Sequence, residues 1–198
     1  MQPTSPEVQD VNHSEAGEKK TSSWLKTVGE VFQTLLLAFV LYFAIDAVVA
    51  RVRVENISMQ PTLKPGEFVL VHKLAYRFGE IQRGDIVVFH YSPQEDYIKR
   101  VIGLPGDIVE IADGLVKVNG YPLKEEYINA PPMYTGSWQV PAGKVFVLGD
   151  NRNQSSDSHT WGFVPIENIV GKAFVVYWPL EEMKVLTTQI TVIAKNQP

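Results

Sequence analysis

The chain of 198 residues contains no cysteine. That absence excludes disulfides, thiolate catalysis and Cys-ligated zinc, and it leaves the redox compartment open. Its four histidines, His13, His72, His90 and His159, show no metal-ligand spacing, so no metal and no cofactor is expected. Positive charge is scarce as well. The formal net charge is −4 and no basic stripe interrupts the sequence, so nucleic acid is not an expected partner. Internal repeats are missing, and one long apolar run accounts for nearly all of the helix signal.

That run lies behind a polar stretch. Residues 1–23 are rich in Ser, Glu and Lys without apolar periodicity, and they read as a disordered tail. Residues 24–51 read as an anchor helix. Val31 to Ala50 is broken only by Gln33, Thr34 and Asp46, and at ~1.5 Å per residue it spans about 30 Å, the thickness of a bilayer core. Trp24 stands where an interfacial aromatic would sit. A buried core helix and a cleaved secretory signal compete with this reading. The length of the run and the tail ahead of it favour a single membrane span. Lys19, Lys20 and Lys26 before the span nearly balance Arg51 and Arg53 after it, so charge says little about orientation.

From residue 52 to 198 the texture is short β-type runs. Strands are expected at 67–72, 85–90, 97–102, 107–111, 115–118, 144–148 and 169–178, punctuated by turns such as Pro65-Gly66 and Asn119-Gly120. With so little helix between them, they predict a mostly β domain, an antiparallel barrel or sandwich. Tyr121 to Gly143, with Pro122, Pro131, Pro132 and Pro141, reads as an irregular excursion. Val185 to Ala194 fits a strand or a loose tail equally well.

Three stretches carry chemistry. In Asn56-Ile57-Ser58-Met59-Gln60-Pro61-Thr62-Leu63, Pro61 pushes Gln60 to extended geometry, so Ser58 sits on irregular backbone just beyond the apolar run. Lys99 lies mid-strand, on one face with Tyr97 and Val101, while Ile98, Arg100 and Ile102 take the other. If its face is inward, burial disfavours the ammonium, and a neutral lysine can take a proton from a serine. Ser58 and Lys99 lie far apart in sequence, so only the fold can join them. The third stretch, Gly149-Asp150-Asn151-Arg152-Asn153-Gln154-Ser155-Ser156-Asp157-Ser158-His159, is a polar loop after a strand, denser in polar groups than a turn needs. A Ser–His–Asp triad of Ser58, His159 and Asp157 stays open on spacing alone.

Together these stretches resemble the type I signal peptidases (leader peptidases), a serine/lysine dyad family. Ser58-Met59-Gln60-Pro61-Thr62-Leu63 is similar to its nucleophile motif. Gly84-Asp85-Ile86-Val87-Val88 and the run from Tyr97 to Asp107 are similar to its next strand and its lysine motif. Gly149 to Arg152, Ser155 to Ser158 and Trp161-Gly162-Phe163-Val164-Pro165 resemble its last motif. The resemblance implies a membrane-anchored serine endopeptidase, single-pass, with its catalytic domain on the extracytoplasmic side. Such an enzyme removes signal peptides from exported preproteins, cutting after small residues of the Ala-x-Ala type. It implies Ser58 as nucleophile and Lys99 as general base. Ser155 would hydrogen-bond Lys99, Asp150 and Arg100 would pair behind the site, and Asp157 would brace the loop. The oxyanion would be met by the Ser58 N–H and the side chain of Asn56. Ile57, Met59, Tyr97 and Ile98, as neighbours of the dyad, are expected to wall the substrate pockets.

Two positions depart from the family pattern. Asn56 stands where relatives often carry Ser, and its amide can still donate. His159 stands where Arg is common, and an imidazole is charged only part of the time near neutral pH. Self-cleaving repressors share the dyad logic but lack an anchor. From a different class, a membrane-tethered, non-catalytic β-rich binding module would need neither Ser58 nor Lys99.

Overall fold

The computed structural model describes residues 21–187 and 190–192. The chain divides into two compact units, Met1–Ile45 and Asp46–Pro198. Helix α1 (Thr21–Val48) dominates the first. Its Trp24–Val48 stretch, 25 residues long, contains an 18-residue window of mean hydropathy 2.1, none of it buried, which meets the length and composition needed to cross a bilayer. Phe32, Leu36, Phe39, Val40 and Phe43 are all exposed, so the helix has no face reserved for a protein core. The expected tail lies outside the described residues, except for 21–23, which begin α1. The helix ends three residues short of the expected boundary at 51. Val49, Ala50 and Arg51 instead pair with His72, Val71 and Leu70, so a strand takes over their backbone groups.

The second unit is built of antiparallel strands. In chain order they are β1 (Val49–Arg53), β2 (Phe68–His72), β3 (Ile86–Ser92), β4 (Glu95–Gly103), β5 (Ile108–Ala112), β6 (Leu115–Val118) and β7 (Tyr121–Lys124). β8 (Gly136–Gln139), β9 (Lys144–Leu148), β10 (Val164–Pro165), β11 (Ile169–Trp178), β12 (Lys184–Val185) and β13 (Thr191–Val192) follow. Two one-turn helices, α2 (Ala75–Phe78) and α3 (Ser158–Trp161), interrupt the series. One sheet runs β1-β2-β11-β3-β4-β9-β10 with β12 beside β11, and the other runs β13-β7-β6-β5-β8. The domain is mostly β and antiparallel, as expected.

The stretch 121–143 is not irregular throughout, because β7 and β8 lie within it. Pro122 hid β7. Proline lacks an N–H, but among the described residues β13 pairs with Leu123 and Lys124 and not with Pro122, so the strand tolerates it on that side. β8, Gly136-Ser137-Trp138-Gln139, is too short and too polar to announce itself. Of the ambiguous C-terminal stretch, Val185 falls in β12 and Thr191–Val192 form β13, while 193 and 194 lie outside the described residues.

The core explains how a polar centre can be kept dry. Along β3, Ile86 and Val88 join one apolar cluster while Val87 and Phe89 join another. Along β4, Val101 packs with Val87 and Phe89, whereas Ile102 joins a third cluster with Val109, Phe146 and Leu148. Both faces of both strands are therefore covered, in the manner of a buried central strand. Gly103, at the end of β4, permits the second sheet to approach, since a Cβ there would lie 2.6 Å from Val109 Cγ2 and 2.9 Å from Val140 Cγ2.

Phe146 is fully buried in the third cluster, and Phe78 is 85% exposed. Phe146→Ala is expected to cost about 3–5 kcal/mol through the cavity it leaves. Phe78→Ala should stay within about 0.5 kcal/mol. Urea unfolding of the full chain in detergent micelles reads both, and equal midpoints for the two variants would refute this account of the core.

Candidate active site

Ser58 is presented by a 3-10 turn, Ile57–Met59, between β1 and β2. On the approach, the Val54 N–H donates to Glu67 O (2.8 Å) and the Gly66 N–H donates back to Val54 O (2.8 Å). The Gln60 N–H closes the turn on Ile57 O, and Gln60 is extended, as a residue before proline should be. Met59 and Leu63 anchor the turn in the core at 0% exposure. At this short turn the first N–H groups have no partner within it, and that of Ser58 is among them. The turn is held from the other side by Asn151, whose N–H donates to Ser58 O (3.0 Å) and whose side-chain amide donates to Ile57 O (3.2 Å).

Lys99 reaches the same place from β4, where it lies opposite Val87 of β3. Its Nζ donates to Ser58 Oγ at 2.8 Å and to Ile98 O at 3.2 Å, and it stands 5.2 Å from the centre of the Tyr97 ring. The side chains are nearly out of solvent, with Lys99 4% and Ser58 8% exposed. Burial pushes the Lys99 ammonium down to about 8, against the opposing pull of the Asp157 and Asp150 carboxylates. Among the described residues no carboxylate pairs with it directly, and desolvation wins.

Those two carboxylates are engaged elsewhere. Asp150 takes a bidentate pair from Arg100, Nε to Oδ1 at 2.8 Å and Nη2 to Oδ2 at 2.6 Å, with both side chains buried. Asp157 accepts the Gly149 N–H at 2.9 Å and the His159 N–H at 3.2 Å, and its Oδ1 lies 2.6 Å from His159 Nδ1. A carboxylate only accepts, so Nδ1 carries the shared proton. The imidazole also stacks on Tyr134 at 3.9 Å. His159 is thus paired with Asp157, while Ser58 is paired with Lys99, and the Ser–His–Asp triad is not assembled. Ser155 does not hydrogen-bond Lys99 either. Its Oγ is buried without a partner beside Gly149.

The Ser58–Lys99 pair opens into a cleft of about 400 Å³. Asn56, Ile57, Tyr97 and Ile98 line it, and the Asn56 side chain makes no capping bond to the turn. Met59 does not line it. The turn rotates Met59 into the apolar cluster with Val69, Val71 and Ile86, so this expectation is corrected. Sequence reasoning missed the whole stretch 52–55, together with Val88, Asp96, Gln154 and Ser156, as cleft residues. Val52 and Val54 had a signal in their alternation on the strand leading to Ser58. Gln154 and Ser156 sit within the polar loop, where side-chain direction has no period to follow. Among the described residues, no cluster of three or more His, Asp or Glu is placed to hold a metal.

Gly149 tests the arrangement directly. A Cβ at this position would overlap Ser58 O and Ser155 Oγ, so the turn that carries Ser58 must shift to admit it. Gly149→Ala is expected to lower kcat by about 10²-fold, the scale of a misplaced reacting group. Steady-state peptide cleavage measures it, and wild-type turnover in the variant would refute the contact.

Comparison with known proteins points the same way as the motifs. A family model described as "Signal peptidase, peptidase S26" matches residues 24–178. A signal peptidase I from Leptolyngbya laminosa is 41% identical over 192 residues, covering 91% of each chain. A probable signal peptidase I-2 from Synechocystis sp. is 43% identical over 182 residues, covering 87% of this chain and 84% of the relative. Among solved structures, a signal peptidase I from Enterococcus faecalis has 35% identity and a TM-score of 0.43, covering 47% of this chain and 96% of that one. With the family match running from α1 to the last residue of β11, this chain belongs to the signal peptidase family, peptidase S26.

Proposed function

We propose that the protein is a membrane-anchored serine endopeptidase that removes N-terminal signal peptides from exported preproteins through a Ser58/Lys99 dyad. The observation that carries the mechanism is the 2.8 Å bond between Lys99 Nζ and Ser58 Oγ in a nearly dry setting. The neutral amine accepts the Ser58 hydroxyl proton as Oγ bonds to the scissile carbonyl carbon. The Ser58 N–H and the Asn56 side-chain amide meet the resulting oxyanion. As the C–N bond breaks, the Lys99 ammonium returns its proton to the departing amine, which frees the mature protein and leaves the signal peptide esterified to Ser58. Water then attacks the ester, Lys99 takes its proton, and collapse of the second intermediate returns that proton to Ser58.

Substrate choice follows from the walls. Among the described residues β1 is an edge strand, paired with β2 alone, so an extended peptide can add along its other side. Alternate side chains of that peptide then face shallow pockets walled by Ile57, Tyr97 and Ile98, which suits small residues at the first and third positions before the cut. We assign α1 as the single-pass anchor and place the catalytic domain on the extracytoplasmic side, where signal peptides emerge.

Ser58→Ala and Lys99→Ala are each expected to abolish cleavage of a purified preprotein while the fold persists. In wild type, the active amine is the neutral form and its proton affinity is lowered by burial. The ratio kcat/KM should therefore rise with pH through about 8, and fall about tenfold per pH unit below it. An acidic limb centred near 6, or full activity in Lys99→Ala, would overturn the dyad. Removing one oxyanion donor with Asn56→Ala should lower kcat by about 10²- to 10³-fold with KM little changed. Intact turnover in that variant would remove Asn56 from the mechanism.

A further inference from the structure

The catalytic loop is tied to the second sheet by residues outside every motif named above. Glu125 lies just beyond β7, and its carboxylate takes a bidentate pair from Arg152: Nη1 to Oε2 at 2.9 Å and Nη2 to Oε1 at 2.5 Å. The arginine side chain is 0% exposed and the glutamate 7%. Tyr127 completes the contact. Its hydroxyl donates to Glu125 Oε1 at 2.7 Å and accepts from Arg152 Nη2 at 3.2 Å. Burial pushes the Tyr127 phenol up, so it stays protonated and able to donate. The face of the same ring covers the other buried guanidinium, with Arg100 Cζ 4.0 Å from its centre.

Tyr127 is thus the shared wall between two buried cations, and each cation holds one end of the dyad's support. Arg100 follows Lys99 on β4 and pairs with Asp150. Arg152 donates its Nε to Gly149 O at 3.1 Å, two residues before Asn151, whose N–H seats Ser58 through its carbonyl. Glu125 therefore touches neither substrate nor dyad, yet the path from its carboxylate to Ser58 runs through a single arginine and three consecutive loop residues.

We propose that Glu125 and Tyr127 are positioning residues for the dyad: from the second sheet they lock Arg152, and through it the Gly149–Asn151 backbone that holds the nucleophile turn. The proposal rests on the reaction assigned above for its kinetic readout. The lock has a steep response because a buried guanidinium that loses its carboxylate must find water or move. Either response pulls on Gly149 O. The substrate cleft has no wall from Glu125, Tyr127 or Arg152, so loss of the lock acts chiefly on turnover and reaches binding only indirectly through the loop.

The test compares Glu125→Gln, Glu125→Asp and the triple variant Glu125→Leu/Tyr127→Phe/Arg152→Met with the full-length wild type in detergent. Kinetics on a preprotein are combined with thermal unfolding and with amide exchange of a peptide covering residues 146–154. Glu125→Gln should lower kcat roughly tenfold or more with KM within about twofold, and Glu125→Asp should recover most of the loss. The triple variant, which removes the buried charges and the hydroxyl together, should regain wild-type thermal stability but keep the low kcat. Exchange across 146–154 should quicken in both Glu125→Gln and the triple variant. A wild-type kcat in Glu125→Gln, recovery of kcat with stability in the triple variant, or unchanged exchange would each overturn the proposal. A wild type that processes no preprotein would refute the assigned reaction instead, and the exchange measurement would still decide the lock.

Discussion

Burial of one lysine without a carboxylate partner is the constraint on which the site depends. An ammonium in water holds its proton far too well to act as a base near neutral pH, and desolvation removes that advantage. Lys99 is desolvated because β4 runs between β3 and β9 with apolar clusters on both faces. Besides Ser58, the Tyr97 ring and Ile98 O stand beside its amine, and neither carries a negative charge that would fix a proton there.

Carboxylates are nevertheless close, and the way they are occupied matters as much as the dryness. Asp150 is neutralised by Arg100, and Asp157 spends its oxygens on Gly149 and on His159. Either one left unpaired would strengthen its pull on the Lys99 proton. The buried ion pairs are thus poor evidence for stability, since desolvating two charges consumes much of what their attraction returns. Their service is electrostatic insulation of the amine, together with a rigid loop behind the serine.

The chain solves the placement of Ser58 in a similar way, by over-determining a short irregular segment. Met59 and Leu63 draw the turn into the core, Gln60 leaves it in extended geometry, and Asn151 holds two of its carbonyls. Gly149 is the point where loop and turn come too close for any side chain. A family membership that spans residues 24–178 covers all of these parts together.

Much of this was readable from residue order. Apolar composition within 24–51 marked the anchor helix, β-type runs bounded by turns marked the longer strands, and the dyad was suggested by the resemblance of the stretches around Ser58, Lys99 and the polar loop to the signal peptidase motifs. Local sequence could not reveal elements whose reason lies elsewhere: β7 despite Pro122, the short polar β8, or the transfer of Val49 to Arg51 from helix to strand. Nor could it tell that Met59 faces the core while Ile57 faces the cleft, because a single 3-10 turn has no repeat to extrapolate. The grip of Glu125 and Tyr127 on Arg152 joins segments some distance apart in the chain, and no local pattern announces it. Residue type determined which groups were available for chemistry, and tertiary packing alone decided which were dry, which were paired and which stood 2.8 Å apart. Proton affinity depends on that surrounding three-dimensional field, to which neighbours along the chain contribute only a small part.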